Sequence, residues 1–220
     1  MQYFDSSHSS SSYKFASELR LLLQQHCHPK HTLVFLCVGS DRATGDCLGP
    51  ILGYKLSRLR LPNTVVYGTL EHPVHAKNLG DIITEIHSHI INPFIIAIDA
   101  SLGKMNHVGY YTLSTEPLKP GAGVNKALPE VGNITITGIV NLSGFLDHML
   151  LQTTRLNIVM QLADRICDGI LHCFQKDRHL SNHFAFEPTT EASELRSASC
   201  TCLSASPIVL DAPESNRVSI

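Results

Sequence analysis

Two aspartates stand where apolar segments of the chain end, and their positions favour acid–base chemistry. Asp46 lies in the polar segment that follows the apolar run at residues 33–38, and Asp99 directly follows the apolar run at residues 94–98. Fully apolar runs of this length are typical of strands buried on both faces of a parallel sheet. In such sheets ligands bind outside the carboxyl ends of the strands, where the strand order reverses. We therefore expect Asp46 and Asp99 to face one crevice.

A pair of carboxyl groups in a partly dry crevice is suited to hydrolysis. The pKa of one group rises, so that one carboxyl acts as an acid while the other acts as a base. Such a pair can activate water against an amide carbonyl. For Asp46 helix capping is an equally good interpretation, because an aspartate before an apolar helical stripe commonly accepts N–H groups of the first turn. Asp99 has a weaker structural explanation, since burying a charge after a strand is costly.

The elements that must position these side chains alternate between strand and helix. Strands are predicted at 33–38, 64–68 and 94–98, with helices to about residue 60 and at 78–90 between them. Crossovers of this length indicate a parallel, doubly wound sheet with the first strand in its centre. Further along, 108–113 is predicted as an antiparallel partner strand, 134–139 as the last strand, and 142–170 as helical with a break at 152–155. The fold class is α/β, a three-layer α/β/α sandwich with a mostly parallel sheet.

The composition of the chain predicts the limits of its domain and its location in the cell. Residues 1–12 form a Ser/His-rich head and 175–220 a polar tail, both predicted to be disordered, around a single domain at 13–174. The formal charge of -2 gives no footprint for nucleic acid or an anionic membrane, and no apolar run approaches the roughly 20 residues that a bilayer requires. Seven cysteines in a chain without an export signal are predicted to be free thiols. The protein is therefore expected in the cytoplasm.

Several loop residues are candidates for binding substrate. The loop at 117–132 is rich in Gly, Pro and Lys and is predicted to be a substrate-binding or lid loop, with Lys119, Gly121 and Gly123 as its candidates. His72 and His75 follow the second strand at the same sheet edge, and His75 is the stronger candidate to meet a metal or substrate. Asp41 and Arg42, in the turn after the first strand, are solvated residues or an ion pair beside the crevice. Cys47 in this turn is disfavoured as a nucleophile, because no nearby histidine marks itself as its base.

The chain resembles the spore protease YyaC family of endospore-forming bacteria. The resemblance covers about residues 32–170 and is carried by the segments VGSDRATGDCLGP, YGTLEHPVHAKNL, PFIIAIDASLG, PLKPGAGVNKALPEVG, TGIVN and LQTTRLN. More distantly it is similar to the germination protease and to the hydrogenase maturation endopeptidases. These likenesses imply a phosphorylase/hydrolase-like sandwich in which Asp46 and Asp99 are the catalytic aspartates. The maturation endopeptidases bind nickel with a later histidine, but this chain has Asn141 near that position, which argues against a nickel-sensing role.

The function that follows from the sequence is a sporulation-associated peptidase. The resemblance implies protein or peptide substrates such as small acid-soluble spore proteins, in the mother cell, forespore or spore core. Asp46 and Asp99 are predicted as the catalytic pair, with Asp41, Arg42, His75, Lys119, Gly121, Gly123 and Asn141 as substrate-binding residues. No cofactor, nucleic acid or membrane partner is predicted. The alternatives are a metal-dependent hydrolase with a metal at Asp46 and Asp99, and a non-catalytic sporulation protein that keeps the protease fold.

Overall fold

The computed structural model describes residues 1–120, 129–144 and 147–175. The helices and strands follow the chain in the order β1 Gln2–Asp5, α1 Ser11–His26, β2 Thr32–Cys37, α2 Leu48–Leu59, β3 Thr64–Tyr67, α3 Leu79–His89, β4 Pro93–Gly103, β5 Tyr110–Ser114, β6 Ile134–Leu142, α4 Asp147–Gln152 and α5 Leu156–Gln175. A 3₁₀ turn, Gly45–Cys47, precedes α2. Among the described helices, none is long and apolar enough to cross a membrane.

The six described strands form one sheet in the order β1-β5-β6-β4-β2-β3. Strand β2 lies between β3 and β4 and is parallel to both, and β4 is parallel to β6. The strand order therefore reverses at β2, as predicted for a doubly wound sheet. Because the carboxyl ends of β2 and β4 are adjacent, the segments that follow these two strands open into the same space.

Helices cover both faces of this sheet. On one face the buried side chains of α1, α2 and α5 pack against the sheet in a single cluster that includes Phe15, Leu52 and Ile166. On the other face a smaller cluster joins Leu79 and Ile86 of α3 to the strands. The arrangement confirms the predicted three-layer α/β/α sandwich with a mostly parallel sheet.

Two predicted strands differ in detail. Strand β5 is antiparallel, as predicted, but its partners are β6 and β1 rather than the strand before it. Strand β4 continues past Asp99 to Gly103, because β6 pairs along this extension. The predicted helical break at 152–155 is confirmed between α4 and α5. The predicted disorder of the tail concerns residues that lie, apart from Gln175, outside the described part of the chain.

The structure corrects the prediction of a disordered head. Residues Gln2–Asp5 form a strand that pairs with β5, and α1 already begins at Ser11. The physical reason is Phe4, which is 7% exposed and packs against Tyr111 and Phe15 with ring centroids 5.3 and 5.4 Å apart. One buried aromatic in a short polar segment gives no periodic signal, so an interpretation from composition misses it.

Replacing Phe4 by Ala should destabilise the domain by about 3 kcal/mol, the usual effect of deleting a buried aromatic side chain. Urea denaturation followed by circular dichroism measures this change. The neighbouring Tyr3→Ala is the matched control, because Tyr3 is 49% exposed. Equal stability of the Phe4 variant and the wild type would mean that the N-terminal strand does not pack on the domain in solution.

Candidate active site

The turn that carries Asp46 is fixed by two glycines that touch backbone. Gly39 has φ +144°, and a Cβ there would overlap the Asp46 carbonyl oxygen. Gly49, in the first turn of α2, lies so close to the end of β2 that a Cβ would overlap the Val38 carbonyl oxygen and come within 2.7 Å of its carbon. The Ser40 N–H also donates to the Asp46 carbonyl at 3.2 Å. These contacts hold Asp46 above the carboxyl end of the central strand.

Asp99 is placed by the pairing of two parallel strands. It lies within β4 opposite Thr137 of β6, and its Oδ1 accepts the Ala100 N–H at 2.7 Å. A register shift between Ser101 and Leu102 follows directly. Such irregularities re-aim side chains at the ends of paired strands. On the other side of β4 the pairing with β2 ends at Ile98, so the half-buried Asp99 lies where the sheet begins to open.

Asp46 and Asp99 line one cavity of about 540 Å³, which we call the crevice. Its other walls come from the rest of β4, from Leu118 and Lys119, and from the segment that follows β6. The remaining lining residues are Ala43, Ala100, Ser101, Leu102, Thr137, Ser143, Asp147, His148 and Leu151. The crevice thus combines two carboxyl groups with aliphatic side chains and small hydroxyl groups, the usual make-up of a ligand site.

The electrostatics of the pair are asymmetric. Burial raises the pKa of Asp46, while the Ser40 N–H and the charges of His75 and His148 act in the opposite direction. The pKa of Asp99 lies well above its ordinary range, first because of burial and second because of the negative charge of Asp46. The crevice therefore favours a state with a proton on Asp99 and a charge on Asp46. As a coupled pair they release their protons in two shared steps.

Replacing Asp46 by Asn should lower the pKa of Asp99, because the charge of Asp46 contributes to its elevation. Burial should keep the pKa above the ordinary value of 3.8. Titration of the Asp99 carboxyl carbon by NMR measures the shift. Asp147→Asn is the control, since Asp147 lines the same crevice but is not among the causes of the Asp99 shift. An unchanged Asp99 titration in the Asp46 variant would show that the two carboxyls are not coupled.

Asp46 does not cap the following helix. The N-cap residue of α2 is Cys47 and that of the 3₁₀ turn is Thr44, and neither N-cap residue makes a side-chain cap hydrogen bond. The capping alternative for Asp46 is therefore wrong. Cys47 itself has a raised pKa, because burial and the charges of Asp41 and Asp46 all disfavour its thiolate. That environment is the opposite of what activates a cysteine nucleophile.

The predicted substrate-binding residues are not all brought together. Lys119 lines the crevice and pairs with Glu130 at 3.1 Å. Half-buried His75 lies outside the lining but is close enough for its charge to act on Asp46. Asp41 and Arg42 are exposed on the turn and do not line the crevice. Gly121 and Gly123 lie outside the described residues.

Asn141 does not line the crevice and makes hydrogen bonds within the protein. Its Nδ2 donates to the Leu150 carbonyl at 2.9 Å and lies 3.3 Å from Thr154 Oγ1, and its Oδ1 accepts the Leu142 N–H. Thr154 in turn packs against Gly45, where a Cβ would come within 2.9 Å of its Oγ1. The Asn141 amide therefore ties the end of β6 to α4 and so to the turn that carries Asp46.

The sequence did not predict the wall of the crevice that β6 and α4 form. His148 and Asp147 lie on α4, which follows the carboxyl end of β6, and Thr137 faces Asp99 from β6 itself. The signal was available, because β6 is parallel to β4 and its following segment must reach the same sheet edge. Within residues 1–120, 129–144 and 147–175, no three His, Cys, Asp or Glu side chains are grouped so as to hold a metal ion.

Comparison with known proteins gives matches of sequence and of structure. A family model described as "Protein of unknown function (DUF1256)" matches residues 6–169. The "Uncharacterized protein YyaC" of Bacillus subtilis (strain 168) is 52% identical over 138 residues, which are 63% of this chain and 67% of that protein.

Two solved hydrogenase maturation proteases share a partial structural likeness. The [NiFe] hydrogenase maturation protease HycI from Thermococcus kodakarensis KOD1 has 13% identity and a TM-score of 0.44, over 70% of this chain and 99% of that one. The Hydrogenase 3 Maturation protease has 17% identity and a TM-score of 0.39, over 63% and 88%.

Proposed function

Because the chain belongs to the DUF1256 family of proteins of unknown function, we propose its function from its own crevice: it is a peptidase in which Asp46 and Asp99 activate water. One observation carries the proposal. The two carboxyls line a single cavity, and the charge of Asp46 adds to the raised pKa of the half-buried Asp99. Paired carboxyls with pKa values pushed apart are the usual arrangement for acid–base hydrolysis.

The proposed roles follow from the asymmetry of the pair. The Asp46 carboxylate takes a proton from water, and the oxygen of that water forms a bond to the amide carbon. The protonated Asp99 gives its proton to the amide nitrogen, and the carbon–nitrogen bond breaks to leave an acid and an amine. A proton then passes from Asp46 to Asp99 to restore the starting state. Acid–base steps of this kind typically contribute about 10²–10⁴-fold to a rate.

The walls of the crevice support a peptide as substrate. Leu102, Leu118 and Leu151 offer aliphatic surface to a side chain, while Ser101 and Ser143 offer hydroxyl groups to a backbone amide. The resemblance to the YyaC family adds the biological setting to the proposal. The substrates would be spore proteins such as small acid-soluble spore proteins, cleaved in the cytoplasm of the sporulating cell or in the spore core.

Cleavage is the direct test. The full chain is incubated with purified small acid-soluble spore proteins and with a pool of random decapeptides, and new termini are read by mass spectrometry. We expect new termini with the wild type and with Asp168→Asn, an exposed position on α5 outside the crevice, and none with the Asp46→Asn/Asp99→Asn double variant. Equal cleavage by the double variant would refute the mechanism. Loss of wild-type cleavage on adding a chelator, with recovery on adding a divalent metal, would favour the metal-dependent alternative.

A further inference from the structure

A second cavity lies beside the crevice, at the carboxyl end of β3. It has a volume of about 580 Å³, and we call it the β3–α3 cavity. Residues 66–69 form one wall, 71–75 another, and Asn78, Ile82 and Glu85 of the α3 region close it. None of these residues lines the crevice. The proposed chemistry therefore leaves this cavity without a role.

The cavity adjoins an open sheet edge. Strand β3 is the last strand in the sheet order and pairs only with β2 in the described part of the chain. The Asn63 carbonyl accepts the Leu33 N–H, so it faces β2. Because backbone groups alternate along a strand, those of Thr64 and Val66 face away from the sheet. An unpaired edge of this kind can take an extended peptide as an added strand.

The charge of the cavity indicates which peptide fits. The carboxylates of Glu71 and Glu85 line it, whereas no Lys or Arg does. Among the described residues, neither carboxylate has a Lys or Arg within ion-pair distance. The Tyr67 hydroxyl donates to Glu85 at 3.4 Å, which holds this carboxylate next to an aromatic ring. Carboxylates without a Lys or Arg partner are suited to bind the Lys or Arg side chain of a peptide.

The cavity adjoins the turn that carries Asp46. Val74 forms a parallel bridge with Val38, and its carbonyl accepts the Gly39 N–H at 2.7 Å, so a residue that lines the cavity is hydrogen-bonded to that turn. His75 lines the cavity and lies close enough to Asp46 for its charge to act on that carboxyl. His75 is therefore a side chain that belongs to the surroundings of both the cavity and Asp46.

We propose that the β3–α3 cavity is a subsite for a Lys or Arg side chain of an extended peptide that pairs with the open edge of β3. That this peptide is the substrate rests on the proposed peptidase function. That the cavity binds a cationic extended peptide is independent of the peptidase function, because it follows from the edge of β3, the cavity and the two glutamates alone.

The test uses a defined probe, acetyl-Ala-Val-Lys-Val-Ala-amide, titrated into the isotope-labelled full chain. Two matched peptides accompany it: one carries norleucine in place of lysine, and the other keeps lysine but has N-methyl groups on alternate residues. We expect the lysine peptide to shift the backbone amide signals of Val66, Gly68 and His75. Both control peptides should bind at least about fivefold more weakly than the lysine peptide. The norleucine peptide lacks the charge, and the N-methylated peptide cannot pair as a strand.

Variants of the protein complete the design. Glu71→Gln combined with Glu85→Gln should weaken the lysine peptide by about fivefold to tenfold, the combined effect of two partly exposed charge contacts. Asp81→Asn removes one charge from the exposed face of the same helix without touching the cavity, and should leave binding unchanged. Equal binding of the lysine and norleucine peptides, or full binding by the double glutamine variant, would overturn the proposal.

The integrity of the peptide after the titration separates this inference from the peptidase function. If the lysine peptide shifts the cavity signals but stays intact, and the cleavage test also finds no new termini, the cationic subsite stands and the peptidase function fails. If decapeptides are cleaved with no preference for Lys or Arg and the cavity signals do not move, the peptidase function stands and the subsite is refuted.

Discussion

Replacing Asp99 by Asn should abolish peptide cleavage while making the folded protein more stable. The loss of activity should be about 10²–10⁴-fold, because the variant cannot supply the acid proton. The gain in stability has a separate cause. At neutral pH the wild type must either keep a proton on a buried carboxyl or bury a second charge beside Asp46, and an amide avoids both states. The amide oxygen of the substituted side chain can still accept the Ala100 N–H.

The pH dependence of this gain has a definite sign. The pKa of Asp99 is raised in the folded state, so the folded protein binds this proton more tightly than the unfolded chain does. The resulting stabilisation of the wild type is complete below the ordinary pKa of 3.8 and is lost as the pH rises through the folded pKa. The variant has no such loss. The difference in free energy of unfolding should therefore be small near pH 3.8 and grow with pH, by about 1.4 kcal/mol for each unit of pKa shift.

Thermal and urea unfolding between pH 4 and pH 8, together with the decapeptide assay, check both halves of this expectation. Asp168→Asn is again the control, since an exposed carboxyl on α5 should change neither quantity by much. If the variant instead becomes less stable than the wild type as the pH rises, a partner must hold Asp99 in its charged form. A stable variant with full activity would show that Asp99 is not the acid.

Replacing Gly49 by Ala should cause a large loss of stability. The added methyl group would overlap the Val38 carbonyl oxygen, so either α2 or the end of β2 must move. Backbone lies on both sides of this contact, which leaves no flexible side chain to yield. We expect a loss of about 3 kcal/mol or more, at the upper end of the usual overpacking range. Because Asp46 lies just before Gly49, cleavage should fall even in the molecules that remain folded.

Gly80→Ala provides the matched control. Gly80 is also helical, but a Cβ there meets nothing within 4 Å. Alanine should therefore stabilise α3 by about 0.5–1 kcal/mol through the lower entropy of the unfolded chain. Urea denaturation of both variants measures the contrast. A Gly49 variant as stable as the Gly80 variant would contradict the close contact between α2 and β2.

The sequence alone determined the parallel arrangement of the first three predicted strands, with β2 between β3 and β4, and the convergence of the two aspartates. Unbroken apolar runs separated by helical stripes allow few arrangements other than a parallel, doubly wound sheet, and its carboxyl edge must then collect Asp46 and Asp99. The resemblance to the YyaC family rested on motifs dense enough to be specific, and the relative at 52% identity confirms it.

Only the tertiary structure decided which other groups share the crevice. His148 reaches it because β6 inserts between β4 and β5, a pairing that no local pattern specifies. Asn141 holds α4 through the Leu150 carbonyl, and Phe4 packs the head against Tyr111, and the local pattern identifies neither partner. Periodicity reports which face of an element is buried, but not which distant side chain it meets. The same holds for Asp46. Only the contacts around it distinguish a carboxyl coupled to Asp99 from a helix cap.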